Sequence, residues 1–229
     1  MRFAMRAAEQ MAIPQLTLAT TQLHNGFVRH WKEPLRESLK QLQWVQRYAT
    51  EVAHLVFSCH GANMYLVHGW FCGLPLEELA VDAERYGKLA HRYGYDNLAQ
   101  YPALIRQAVL GMQGLSEQPW QLQGESFNEQ TFDLQHQTGI DAALVLYFHL
   151  FKLQLGYWFG HYADAIEQAA ACHGMLQSAP GAFAGSIRLL YEALAHLQQA
   201  LLVPAHGAVA RQGTPCAASP PVLGAALRR

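Results

Sequence analysis

The chain has 229 residues, of which 51% are hydrophobic and only 14% charged, with 16 basic residues set against 17 acidic ones. Ordinary soluble domains carry about 25% charged residues, so an unusual share of this surface has to be covered by a large core or by a partner. A balance near zero leaves no basic stripe for a phosphate backbone, which excludes nucleic-acid binding as a class.

Residues 1–17 read as a lead-in. Arg2 and Arg6 are present, but a continuous apolar segment and a small-residue cleavage site are not, so no export signal is expected. Cys59, Cys72, Cys172 and Cys216 are widely spaced and form no CxxC pair, which fits a reducing cytoplasm. Strand-type alternation between hairpin turns is missing throughout, whereas segments of helical period follow one another with short breaks. The fold class is therefore all-α.

Glu33-Pro34 offers a first-turn proline, and Leu35, Leu39, Leu42, Val45 and Ala49 then recur every three or four residues, as one buried helix face requires. A second helix, from about Glu51 to Phe71, is apolar on more than one side and stops at Cys72-Gly73, which predicts a central place in its layer. Leu74-Pro75 restarts a third, with Leu76, Leu79, Ala83, Tyr86, Leu89 and Ala90 as its stripe and an end near Tyr93-Gly94. Pro102 fits the first position of a fourth helix, whose inner face is Leu104, Ala108, Met112 and Leu115. From Ser116 to Gly139 the periodicity weakens, predicting a loop with one short helix packed between two halves, around Phe127 and Phe132.

Ile140 to Leu202 reads as helix, tight turn at Gly160-His161-Tyr162, helix, Pro-Gly turn and helix, the last lined by Ile187, Leu190, Tyr191, Leu194 and Leu197. The apolar run Ala142 to Phe159 carries His149, Lys152 and Gln154 in its middle, and a central Lys alone costs about 3 kcal/mol on membrane insertion, so a buried core helix is expected. Tyr147, Leu150, Lys152, Leu153, Gly156, Gly160, Tyr162 and Ala165 resemble the Gly-x-Tyr-x-x-Ala signature of tetratricopeptide-like helix pairs, where small residues let two helices approach and Tyr fills the gap. Gly73 with its Leu76 restart looks like the same turn repeated. The packing residues expected from this pattern are Gly73, Leu76, Tyr147, Gly156, Gly160, Tyr162 and Ala165. Past Leu202, Pro204, Pro215, Pro220 and Pro221 stand among Ala and Gly, and residues 203–229 are expected to be disordered.

Candidate chemistry is sparse. His68 with Cys72, and His54 with Cys59 and His60, are the best local metal spacings, but a zinc site needs three or four converging ligands, and no metal or other cofactor is expected. Glu77, Glu78, Glu84, Glu125 and Glu129 fall in no catalytic spacing, and GxxxxGK, GxSxG, HExxH, HRD and DFG are all missing. The aromatic series Tyr147, Phe148, Phe151, Tyr157, Trp158, Phe159 and Tyr162 lies at helical spacing and reads as core.

Three separated segments carry a resemblance: His30-Trp31-Lys32-Glu33-Pro34-Leu35-Arg36, Gln118 to Phe127, and Lys152 to Ala165. Together they resemble the helical repeat region of very large bacterial signalling proteins. In that family a protein-kinase-like domain is followed by an AAA-type predicted ATPase, this tetratricopeptide-like region, a GAF sensor domain and a histidine-kinase or cyclase output. The resemblance covers about Leu18 to Leu202 and implies a tetratricopeptide-like array of antiparallel helix pairs, about seven helices over residues 18–202. It carries over no catalytic residue, because the family's active sites lie in its other domains.

The function expected on this basis is a non-enzymatic protein-interaction and coupling module of a signal-transduction ATPase/kinase. Its partners would be proteins or neighbouring domains of a longer polypeptide of which this chain is a fragment, with no insertion into membranes. A tendency to self-associate is expected from the faces that an isolated stack leaves open. The alternative is an effector-sensing helical domain with a pocket lined by Tyr147, Phe151, Trp158 and Tyr191.

Overall fold

The computed structural model describes residues 2–11 and 13–202. Among them the regular structure is helical: α1 (Arg2–Met11), α2 (Pro14–Leu23), α3 (Leu39–Glu51), α4 (Leu55–Phe71), α5 (Leu76–Arg92), α6 (Asp96–Met112), α7 (Leu134–Ile140), α8 (Ala142–Trp158), α9 (Tyr162–His173) and α10 (Ala184–Leu202). The tail expected to be disordered lies outside the described residues. So does Cys216; Cys59, Cys72 and Cys172 are free thiols.

Packing follows chain order. α3 lies against α4, α5 against α6, and α8 against α9, while α4 also touches α5 and α6, α6 touches α8, and α10 covers both α8 and α9. One turn geometry closes four of these helices. Gly73, Gly94, Gly114 and Gly160 all adopt positive φ, between 65° and 82°. At each, the following amide donates five residues back, as His161 does to Gly156 and Leu74 to Gly69, and the glycine's own amide donates three back. This is the Schellman closure, in which glycine is favoured because a Cβ strains the left-handed backbone. The pattern occurs a fifth time without glycine: Ala53 sits at φ 57° and His54 donates to Ala49. The second helix consequently begins at Leu55 rather than Glu51, since Glu51 belongs to the end of α3.

Three further expectations are corrected. Pro102 is not the first residue of its helix but lies inside α6, six residues after its start. Proline supplies no N–H and leaves the carbonyl four residues back without its helical donor; here that carbonyl, on Leu98, accepts from the Asn63 side-chain amide of α4 at 3.0 Å. Tertiary contact thus supplies the donor that the local sequence removes. Leu115 is 69% exposed, because the chain has already turned away at Gly114. Leu190 and Leu197 are 53% and 58% exposed, and the face of α10 that is packed carries Ala184, Ile187, Arg188 and Ala195 instead.

Helices also form where no pattern predicts them. α2 crosses from the lead-in into the helical region and buries Leu18 fully against Val45 and Ala49. After α2 the chain widens into a π-helical turn over His24–Val28. The weak segment after α6 folds over α6 and α8: Phe127 and Phe132 pack on Phe148 at ring distances of 6.2 and 5.2 Å, and Glu129 pairs with Lys152 of α8 at 2.8 Å. Its one local pairing of strand type joins Gln123 and Asn128. Among the described residues no helix is long and apolar enough to cross a membrane.

Candidate functional site

The residues expected to pack a repeat are placed as follows. Gly156 of α8 faces the first turn of α9, where a Cβ on it would stand 3.3 Å from both the Ala165 Cβ and the His161 carbonyl. Ala165 is fully buried there, and Tyr162 meets Tyr157 at 5.9 Å between rings. Gly160 and Gly73 have open space around their α-carbons, so backbone conformation alone favours glycine there. Leu76 packs on the core from the start of α5. Tyr147 lies away from that hairpin, buried against Tyr101 of α6 at 6.1 Å between rings. A closer approach of two helices than at Gly156 is found at Gly61 of α4, where a Cβ would meet Val45 Cγ1 of α3 at 2.9 Å and the Gln46 amide at 3.0 Å.

The other aromatic residues named with Tyr147 do not join it. Phe151, Trp158 and Tyr191 cluster around Trp70, with Trp70–Phe151 at 5.2 Å, Trp70–Trp158 at 5.7 Å and Trp158–Tyr191 at 5.5 Å. The Trp70 indole N–H donates to Gln154 Oε1 at 2.9 Å, so Trp70 and Phe151 are core with the Trp70 polar atom satisfied, while Trp158 reaches the surface.

Tyr147 instead lines a cavity of about 510 Å³. Its walls come from α2 and the π-helical turn, from α4, from Tyr101 of α6, from the start of α8 and from residues 178–180. Gln22, Leu23, Phe27 and Val28 form one side; His60, Asn63, Met64 and Val67 project from one face of α4 at helical spacing. The π-helical turn brings Gly26 against Met64, whose Cε would lie 3.0 Å from a Cβ there, and such turns recur at functional sites. Leu23, Val28 and His60 are exposed, which marks the open side.

Most of the lining is apolar. The polar end is Asp141, which ends α7 and caps α8 by accepting from the Leu144 amide at 3.1 Å. Its carboxylate also accepts from the Tyr101 hydroxyl, at 3.0 Å to Oδ1 and 2.9 Å to Oδ2. Burial, and then the Asp141 charge, raise the pKa of Tyr101, and the same two causes act on Tyr147, so both phenols stay protonated donors. Desolvation lowers the pKa of His60 against a smaller opposing effect of Asp141, leaving the imidazole neutral at pH 7. Among the described residues no lysine or arginine lines the cavity.

Of the glutamates considered for acid–base work, Glu77 and Glu78 lie in the first turn of α5, and the other three are spread over ion pairs. Glu125 holds Arg106 at 2.8 Å, Glu84 pairs with Lys88 and Arg106, and Glu129 holds Lys152. His68 is buried, with Nδ1 2.7 Å from Ser38 Oγ, and burial pushes it down to about 3. Among the described residues no group of three His, Cys, Asp or Glu side chains can hold a metal ion. Sequence reasoning missed Asp141, although an Asp directly before an apolar helical run is the ordinary sign of a helix start. No protein-family model, curated protein or solved structure matches the chain.

Proposed function

We propose that this chain is a non-enzymatic interaction and coupling module, a tetratricopeptide-like stack of helix pairs within a larger signal-transduction ATPase/kinase. The observation that carries the reading is the outer face of α10, where Leu189, Leu190, Leu197 and Leu201 are all more than half exposed on a helix that already covers α8 and α9. A helix that packs one face and leaves a second apolar face open has the form of a layer made to meet another. The recurrent Schellman turns and the Gly156–Ala165 approach support the helix-pair reading; the signalling context rests on the resemblance of the three segments. Three free thiols fit a reducing cytoplasm. An antibody to residues 30–200, used on cell lysate, tests the coupling role: a polypeptide far larger than 25.6 kDa is expected, and a single band at that mass would overturn it.

A second reading, an effector-sensing domain, is favoured by the cavity bounded by Tyr101, Asp141 and Tyr147. Ligand sites are typically apolar clefts of about 300–1,000 Å³ with a few converging polar groups, and this one falls in that range. A ligand present at a hundred times its dissociation constant adds about 2.7 kcal/mol of stability, which a thermal-shift panel of metabolites reads directly.

A further inference from the structure

We propose that the cavity between α2, α4 and the start of α8 is a site for a small protonated amine carrying an apolar, aromatic-sized body, recognised by the Asp141 carboxylate. The inference rests on the effector-sensing reading and adds to it the chemistry of the ligand.

Asp141 is a half-buried carboxylate on the wall of a mostly apolar cavity, and it is the one acidic side chain among the described lining residues. The bonds that hold it come from neutral donors, the Tyr101 hydroxyl and the Leu144 amide. A carboxylate has about four acceptor positions, and with one hydroxyl and one amide it retains capacity for a further donor. Its negative charge also has no lysine or arginine beside it among the described lining residues, and His60 is held neutral. An anionic ligand would meet repulsion from that charge with no cationic side chain among the described lining residues to offset it, while an ammonium would form a charge-assisted bond.

One other polar atom of the lining fits the same class. Gln22 Oε1, on the part of the wall that α2 supplies, is buried and accepts no hydrogen bond, so a second N–H donor has a place to go. Phe27, Tyr101 and Tyr147 supply aromatic surface, to which cations and apolar rings are both attracted. Helix capping alone accounts for the bond to Leu144. It does not account for a phenol held on the same carboxylate at the end of a cavity.

Isothermal titration calorimetry of the full chain with tryptamine, tryptophol and indole-3-propionate separates charge from shape. Tryptamine is expected to bind about tenfold or more tighter than tryptophol, the worth of one charge-assisted bond, and indole-3-propionate weakest. Asp141→Asn keeps a capping acceptor and a partner for Tyr101, so helicity is retained and the preference for the amine disappears. Ala143→Phe, which plugs the cavity from the first turn of α8, abolishes tryptamine binding; binding that survives this change places the ligand elsewhere and overturns the proposal. Equal affinity for tryptamine and tryptophol overturns the amine inference and leaves the effector reading standing. No binding of any of the three, with no metabolite shifting the melting temperature, overturns both.

Discussion

Asn63 is the residue on which two otherwise separate features depend. Its side-chain amide occupies the carbonyl that Pro102 orphans in α6, and it lines the cavity. Asn63→Ala should cost about 1 kcal/mol, because the half-buried Leu98 carbonyl loses the donor that stands in for the proline's missing N–H. Pro102→Ala restores an N–H to Leu98, so the cost of Asn63→Ala should shrink in that background, and a double-mutant cycle from denaturant melts measures the coupling. Additive effects would show that the bond does not compensate for the proline.

His68 makes stability pH-dependent. Its pKa is about 3 when buried, against about 6.5 in an unfolded chain. Between those values the unfolded chain takes up a proton that the folded chain refuses. Its contribution is therefore fully present above about pH 6.5 and is lost as pH falls toward 3, by up to about 1.4 kcal/mol per pH unit. His24, His30, His60 and His149 are lowered as well, chiefly by desolvation, and act in the same direction. Urea midpoints at pH 7 and pH 5 should fall markedly for the wild type and less for His68→Gln; an equal fall in both would remove His68 as a source.

At the scale of elements, the five equivalent helix ends differ in one residue. Ala53 adopts the left-handed conformation that glycine takes at Gly73, Gly94, Gly114 and Gly160, at a cost of about 1–2 kcal/mol for a residue with a Cβ. Ala53→Gly is expected to stabilise the chain by about 1 kcal/mol, less the extra freedom glycine adds to the unfolded state. Gly61→Ala should do the reverse, losing about 1–3 kcal/mol as α3 and α4 are forced apart. Gly156→Ala should cost less, because its nearest contacts are 3.3 Å away rather than 2.9 Å. Thermal melts of the three variants rank these effects, and a neutral Gly61→Ala would show that the α3–α4 contact can open without cost.

For the whole molecule, closure competes with extension. The Trp31 indole donates to the Gly181 carbonyl at 3.3 Å, and His30 and Phe71 both meet the Phe183 ring, so the segment after α2 touches the α9–α10 connection. That contact fastens one side of the helical assembly, while leucines of α10 remain open on another. Concentration-dependent association is expected in sedimentation velocity, together with strong binding of a hydrophobic dye. Leu190→Glu with Leu197→Glu should lower both without loss of helicity, since neither side chain is buried. A wild-type chain that stays monomeric with little dye binding would contradict the open-face reading.

Helical period made α3, α5, α8 and α9 legible from the sequence, and glycine shortly after the stripe marked the ends of α5 and α8, because these signals depend on residues within one or two turns of each other. Gly156 and Ala165 were legible for the same reason: a short hairpin brings them together. The all-helical class, and the preference of the Ala142–Trp158 run for a core position, needed nothing further. Tertiary structure alone decided that Pro102 can sit inside a helix, that Tyr147 parts from Phe151 and Trp158, and that Asp141 meets Tyr101 across 40 residues. Each of these turns on a partner supplied by another helix, and the energy of a buried hydrogen bond or ring contact depends on where that partner is held, which spacing along the chain does not specify.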